Sequence, residues 1–211
     1  MRLTRKQTQE QTRSRLLDAA AEAIFAGGLS ALSIRSVCEA AGYSQGAFYS
    51  NFASRDDLLL ALMEQHIGEQ AANLSALITG MGRGNLNQDM RDIARWLADH
   101  GETEGWSRIN ADFKLHAQRD PAFAEGYRAT AEPFHRAFAV LMGDLVHRHG
   151  LQPILPAQDL SVGLYALWTG LALQQAVDPA LPRQEIYLAF LRAAMIAPHA
   201  PLSSFPKGHH S

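Results

Sequence analysis

Apolar side chains recur along this chain at three- and four-residue intervals, and no stretch shows the two-residue alternation of a half-buried strand. From Thr12 to Ala26, Leu16, Leu17, Ala20, Ile24 and Phe25 form one stripe, closed by Gly27-Gly28. Ile34, Val37, Cys38 and Ala41 lie on one face of a short helix after Ser33, a good N-cap. Gly42 can turn the chain, and Ser44 opens a second short helix with Phe48 and Phe52 four apart. Ser54 caps a long helix with Asp56 and Asp57 in its first turn, where negative charge meets the helix dipole. Its buried face runs through Leu58, Leu59, Leu62 and Ile67 towards Ile78.

GMGRGN, residues 80–85, reads as a loop. Three further stripes follow: Ile93, Trp96, Leu97 and His100; Trp106, Ile109, Phe113 and His116, ending near Arg119-Asp120-Pro121; and a long one carrying Phe123, Tyr127, Phe134, Phe138, Met142 and Leu145 to Gly150. Pro133 is a predicted kink in the last of these. Two final helices, Asp159–Val177 and Arg183–Ala197, are separated by VDPALP. The first has a large side (Leu160, Leu164, Leu167, Trp168, Leu171) and a small side (Gly163, Ala166, Gly170) that lets another backbone approach. The second presents Ile186, Ala189, Phe190, Ala193 and Ala197. Helices apolar on two faces have two neighbours, either both within one subunit or one of them in a second copy. The pattern predicts an all-α fold.

Function is concentrated in SIRSVCEAAGYSQGAFYSNFASR, residues 33–55. Two short helices joined by a glycine-containing turn make a helix-turn-helix, whose second helix enters the DNA major groove; an ordinary helical hairpin would share the bare pattern. The residues themselves are more specific. AGYSQGAFYSNFASRDDLLLAL resembles the helix-turn-helix and following helix of the tetracycline-repressor (TetR) family of bacterial transcription regulators. The likeness runs from about Thr12 to Met63, with Phe25, Gly28, Ile34, Val37, Ala40, Ala41, Gly42, Ser44, Gly46, Tyr49, Phe52 and Leu58 at matching places. Where that family often has Val, Lys, His and Lys, this chain has Tyr43, Gln45, Asn51 and Arg55, which changes the bases read but not the fold.

The resemblance implies an N-terminal three-helix DNA-binding domain over residues 1–55 and a C-terminal helical ligand-binding and dimerisation domain over 56–200, with a flexible tail over 201–211. It makes Arg35 and Gln45 base readers, chemistry that suits guanine and adenine edges respectively. Ser33, Ser44, Tyr49, Asn51 and Arg55 would hold phosphates, Gly46 and Ala47 would permit close approach, and Ser50 completes the polar surface. It also implies a homodimer, through Gly163, Ala166, Gly170, Ile186, Phe190 and Ala193. Finally, it implies a small-molecule pocket in the second domain. Trp96, Trp106, Phe113, Phe134, Phe138, Tyr165 and Trp168 are its candidate walls, with Asn110, His116, Gln174 and Gln175 as candidate polar contacts. A hydrophobic core is the competing use of the same aromatics.

Composition adjusts this picture only in places. A hydrophobic content of 47% and a charged content of 19% fit a folded chain. The net charge of −2 does not advertise a nucleic-acid binder, but its distribution does. Residues 1–55 hold seven Lys/Arg against four acids, net +3, leaving twelve against seventeen, net −5. Residues 1–11, with Arg2, Arg5 and Lys6, read as a basic arm or a solvated tail. No apolar run reaches the ~20 residues of a membrane span, no signal peptide opens the chain, and the lone Cys38 fits a reducing cytoplasm. Gly-rich phosphate loops, GxSxG and HExxH are absent, and His147 and His149 point to different sides of a helix. The expectation is therefore no catalytic residue, no metal and no cofactor. The partners expected are operator DNA, a second copy of the chain and a small hydrophobic or amphipathic ligand, in a repressor that releases a pseudo-palindromic operator when the ligand binds. An activator or ligand-independent repressor on the same fold, or a helical small-molecule binder without DNA function, is the alternative.

Overall fold

The computed structural model describes residues 4–81, 85–100 and 104–195. Arg2, the middle of the GMGRGN loop, the His100 side chain, Ala197 and the tail from Pro198 lie outside the described residues or side chains. Every regular element described is helical: α1 (Arg5–Gly27), a 3₁₀ turn (Leu29–Ala31), α2 (Ile34–Ala41), α3 (Gln45–Tyr49), α4 (Arg55–Gly80), α5 (Leu86–His100), α6 (Glu104–Ala117), α7 (Pro121–His149), α8 (Ala157–Val177) and α9 (Arg183–Met195).

Capping explains most of these boundaries. Ser33, Ser44 and Ser54 are N-caps as expected, each accepting from the backbone N–H three residues on. Gly42 ends α2 at φ +75°, a left-handed conformation that favours glycine. Asp120 caps α7, accepting from the N–H groups of Ala122 and Phe123. The largest departure is at the start. α1 begins at Arg5, seven residues before the apolar stripe, because Thr4 and Gln7 form a reciprocal capping box. α7 continues as one helix through Pro133. That proline and Ala129, whose carbonyl loses its helical donor, are both exposed, so water can satisfy the carbonyl.

Leu16, Leu17, Ala20 and Ile24 of α1 bury against Val37, Cys38, Phe48 and Phe52, so the two short helices rest on the first. α4 then packs along α7, with α5, α6, α8 and α9 completing the body. One polar knot is sealed inside it. Asp89 in the first turn of α5 is 1% exposed and meets His149 Nε2 at 2.7 Å and Arg148 Nη1 at 3.4 Å, both at the end of α7. Arg148 also pairs with Asp144 at 2.8 Å.

Removing one member of a buried charge cluster leaves the others desolvated. Asp89→Ala should therefore lower the unfolding free energy by about 3 kcal/mol, read from urea denaturation at fixed protein concentration. A loss below about 1 kcal/mol, the scale of an exposed pair, would show that the knot contributes little.

Candidate nucleic-acid interface and ligand cavity

The reading head is built from local rules. Ser33 and Ser36 cap each other's ends of the first turn of α2, with Ser33 Oγ 3.0 Å from Ser36 N. The N–H of Tyr43 donates to Cys38 O at 2.9 Å and closes the turn into Ser44. Phe48 and Phe52, both buried, pin α3 to the head's core. Cys38 is buried there too. Burial, and then the Glu39 charge, push its thiol up, so it behaves as a small hydrophobe.

Pinning the aromatic side of α3 leaves the polar side free. Ser33, Arg35, Ser44, Gln45, Gly46, Tyr49 and Ser50 are exposed, Tyr49 by 57%. Arg35 pairs with Glu39 at 2.8 Å, but both side chains are mostly solvated, and such a pair is worth little and is easily exchanged for a phosphate or base. Ala47 is half-buried.

Asn51 and Arg55 are placed differently. Asn51 donates from Nδ2 to Ala47 O at 2.8 Å, within its own helical turn. Arg55 donates to the carbonyls of Leu29 and Leu32, tying the start of α4 to the 3₁₀ turn. Both side chains are half-buried, with work inside the protein. Two supports were not anticipated. Arg13 donates to Asn51 O at 3.1 Å and lies over the Phe52 ring at 4.5 Å, and Gln9 reaches Ser50 O. No linear spacing marks contacts across about forty residues.

In the body, five of the eleven candidate ligand residues meet at one cavity. Trp96 comes from α5, Phe134 and Phe138 from α7, and Tyr165 and Trp168 from α8. His66, Ile67 and Gln70 of α4, Leu97 and Tyr187 complete the wall. The space open to the centre of a water molecule is only about 20 Å³, room for little more than one water, so any larger guest must move side chains. A second, solvent-open hollow of about 430 Å³ shares Trp96 and is flanked by Asn73, Leu77 and Arg95.

The cavity wall carries no carboxylate, lysine or arginine. Burial pushes His66 down to about 4, so its imidazole is neutral near pH 7. His66 Nε2, Trp168 Nε1 and Tyr187 OH are buried with no hydrogen-bond partner among the described residues. The sequence stripe of α9 ran through Ile186, Phe190 and Ala193, whereas the side chains buried there are Tyr187, Leu191 and Met195. Sequence periodicity therefore marked neither Tyr187 nor these orphaned polar atoms.

The other six candidates do not line it, although Asn110 and Trp106 each touch a residue that does. Asn110 is the centre of a relay, donating to Tyr165 OH at 2.8 Å and accepting from Tyr127 OH at 2.7 Å, which ties α6, α7 and α8 together. Phe113 is buried beside Phe123, their ring centroids 6.0 Å apart. His116 meets Asp56 Oδ1 at 3.1 Å, at the start of α4. Trp106 stacks on His66 with centroids 3.8 Å apart, and on its other contact meets Phe25 of α1 edge-on at 5.4 Å. A cavity residue is thus joined to the head by a continuous run of rings. α6 adds two polar contacts to the head, Arg108 donating to Phe25 O and Leu29 N–H donating to Asp112. Gln174 is exposed, and Gln175 donates to Leu181 O.

On the last two helices, Gly163, Ala166, Phe190 and Ala193 are exposed, and Gly170 and Ile186 are half-buried. Val162, Leu173 and Val177 are exposed on α8 as well, Val177 by 87%. An apolar surface of this kind runs along both helices.

Two sequence models match the chain. The one described as bacterial regulatory proteins of the tetR family matches residues 16–62, and the one described as the C-terminal part of BetI-type transcriptional repressors matches residues 87–196. The chain is 23% identical over 202 residues to the HTH-type transcriptional repressor NemR of Escherichia coli, covering 92% of this chain and 98% of that one. It is 23% identical over 178 residues to the nicotine-responsive repressor HdnoR of Paenarthrobacter nicotinovorans, covering 82% and 88%. Among solved structures, it resembles the multidrug-binding protein EbrR complexed with malachite green, with a TM-score of 0.61 at 23% identity, covering 87% of this chain and 97% of that one. The matched segments span both the reading head and the body that holds the cavity, and the chain belongs to the tetR family of bacterial regulatory proteins.

Proposed function

We propose that this protein is a homodimeric cytoplasmic repressor whose head, residues 1–55, reads a pseudo-palindromic operator and whose body, residues 56–200, takes up an uncharged or amphipathic aromatic ligand. The observation that carries the reading is the ring contact Phe25–Trp106–His66, which runs from the head to the wall of an aromatic cavity. Arg35 and Gln45 read bases, and Ser33, Ser44, Tyr49 and Ser50 meet phosphate or the groove edge beside Gly46 and Ala47. Arg55 acts chiefly by holding the head together, since its guanidinium already donates to two carbonyls of the 3₁₀ turn, while the half-buried Asn51 spends its Nδ2 on the carbonyl of Ala47 one turn back.

Ligand chemistry follows from the wall. None of the described lining residues is charged. Two cations, Arg183 over the Trp168 ring at 3.5 Å and Lys114 over the Tyr165 ring at 5.4 Å, lie against wall rings rather than among the lining residues. A localised charge in the cavity would therefore lose its hydration with little compensation. A flat aromatic molecule can slide among Trp96, Phe134, Phe138 and Trp168 and supply acceptors to Trp168 Nε1 and Tyr187 OH. The likeness to a nicotine-responsive repressor and to a protein that binds malachite green supports that class. Binding displaces His66, and with it Trp106 and α4. It weakens DNA binding only if the ligand prefers the arrangement in which two heads no longer match one operator. The dimer forms through the small faces of α8 and α9, where Gly163, Ala166 and Gly170 let a partner backbone close in beside Ile186, Phe190 and Ala193.

The deciding experiment is to sequence the duplex fragments that the purified protein selects from random DNA. A palindromic consensus bound with steep salt dependence is the expected result; no selected sequence at low salt would overturn the reading. Gln45→Ala should cost about 1–3 kcal/mol and relax preference at particular base pairs, while Tyr49→Phe should weaken all sequences alike. An unchanged consensus for Gln45→Ala removes it from the readout.

Sedimentation tests the interface. Ala166→Glu places a charge on the exposed small face of α8 and should convert a dimer into a folded monomer with operator affinity reduced at least about tenfold, since half of the phosphate contacts are lost. A dimer of undiminished stability would put the interface elsewhere.

A ligand found by tryptophan fluorescence should bind more weakly to the operator-bound protein, by the same factor by which it weakens operator binding; tenfold corresponds to about 1.4 kcal/mol. Trp106→Phe should keep that factor and Trp106→Ala should reduce it, because only the second removes the ring between Phe25 and His66. Equal factors in both variants would exclude the ring run as the route.

A further inference from the structure

Beside the ring run, a second contact joins the start of α4 to the body, and its chemistry is of a different kind. Asp56 in the first turn of α4, His116 in the last turn of α6 and Asp120 at the N-cap of α7 bring one imidazole nitrogen and two carboxylate oxygens within 4.8 Å of one another. We propose that these three residues form a binding site for a divalent transition-metal ion of the zinc class, bridging α4 to the α6–α7 corner.

The geometry is close to what such an ion needs. Ligand atoms about 2.0–2.2 Å from zinc lie roughly 3.5 Å from one another in a tetrahedron. His116 Nε2 and Asp56 Oδ1 are already 3.1 Å apart, and the Asp120 oxygen lies within 4.8 Å of both. Capping engages Asp120 through Oδ1, which accepts from Ala122 N and Phe123 N at 2.9 and 3.0 Å, and this leaves Oδ2 for an ion. The same hydrogen bonds fix the carboxylate's orientation, as outer-shell partners do in metal sites. The His116 ring is held against Phe123, with centroids 4.4 Å apart.

Charge and hardness select the guest. Two carboxylates balance a divalent ion, and the imidazole favours zinc, cobalt or nickel over magnesium or calcium, which prefer all-oxygen sets. All three residues are half-buried, so water can complete the coordination. The cation would replace the direct His116–Asp56 contact and fasten the two elements more tightly. This inference does not depend on the ligand or operator proposed above.

The test is calorimetric titration of zinc chloride into the full-length chain, with His209→Ala and His210→Ala introduced so that adjacent histidines in the tail cannot compete. One ion per chain is expected, with magnesium at millimolar concentration giving no heat. Asp56→Asn and His116→Ala should each weaken binding by at least about tenfold. Asp120→Asn keeps an oxygen that can cap α7 while removing the charge. It should keep the native circular-dichroism spectrum and abolish the zinc-induced rise in melting temperature, a rise that follows from binding the folded state alone. Zinc affinity equal in the parent chain and in Asp120→Asn, or no binding below about 100 µM (roughly −5.5 kcal/mol), would overturn the site.

Discussion

α4 cannot be moved at one end alone, and both halves of the molecule depend on that constraint. Its 26 residues span about 39 Å at the rise of an α-helix. At its start, Arg55 grips the carbonyls of Leu29 and Leu32, and Asp57 accepts from the Ala53 N–H, so the first turn belongs to the head. Leu58, Leu59, Leu62 and Met63 are buried between the head and the body. His66, eleven residues after Arg55 and so about 16 Å along the axis, belongs to the cavity. A continuous helix transmits a rotation or translation over that distance because bending it would break its backbone hydrogen bonds. Its close fit against α7 reinforces this: Gly126 sits where a Cβ would come within 2.4 Å of Leu60, leaving little room to slide.

The same constraint separates what was legible in the sequence from what was not. Ser33, Gly42, Ser44 and Ser54 announced the reading head because caps and turns are decided by neighbours three or four residues away. The stripes of the body announced its helices for the same reason. Long-range pairings have no such signature. Arg55 looks like a free phosphate ligand until the fold brings its guanidinium to the carbonyls of Leu29 and Leu32. Asn110 looks like a pocket residue until Tyr127 and Tyr165 occupy both ends of its amide. Periodicity reports that a face is buried but not what buries it. Hence His66 and Gln70, on a helix noted chiefly for its leucines, went unread as cavity walls. α1 began early for a complementary reason: the Thr4–Gln7 capping box stabilises a polar turn with no apolar stripe to mark it.

The cavity's energetics explain how a tight, nearly closed space can still serve recognition. Buried polar groups without partners cost roughly 1–3 kcal/mol each, and His66 Nε2, Trp168 Nε1 and Tyr187 OH are three of them, surrounded by aromatic carbon. A purely apolar guest would gain contact area but leave that cost in place. In the proposed pocket a guest with acceptors at the right places would remove it, so selectivity would come from the orphaned polar atoms and affinity from the rings.

Coupling to the head needs far less energy than binding does. A tenfold change in operator affinity corresponds to about 1.4 kcal/mol of preference between two arrangements, comparable to one aromatic pair at about 0.5–1.5 kcal/mol. The stacked His66–Trp106 contact and the edge-on Trp106–Phe25 contact are therefore of the right size to decide the outcome, provided a guest that displaces His66 cannot keep both. Gly105 sharpens that condition. A Cβ there would lie 2.6 Å from the Phe25 ring, so α6 and α1 approach closely at this point, and a shift of Trp106 must move Phe25 or lose the edge-on contact. Phe25 is 37% exposed, so this junction is an edge of the core, and what it can pass to the head is bounded by the energy of the ring contact itself.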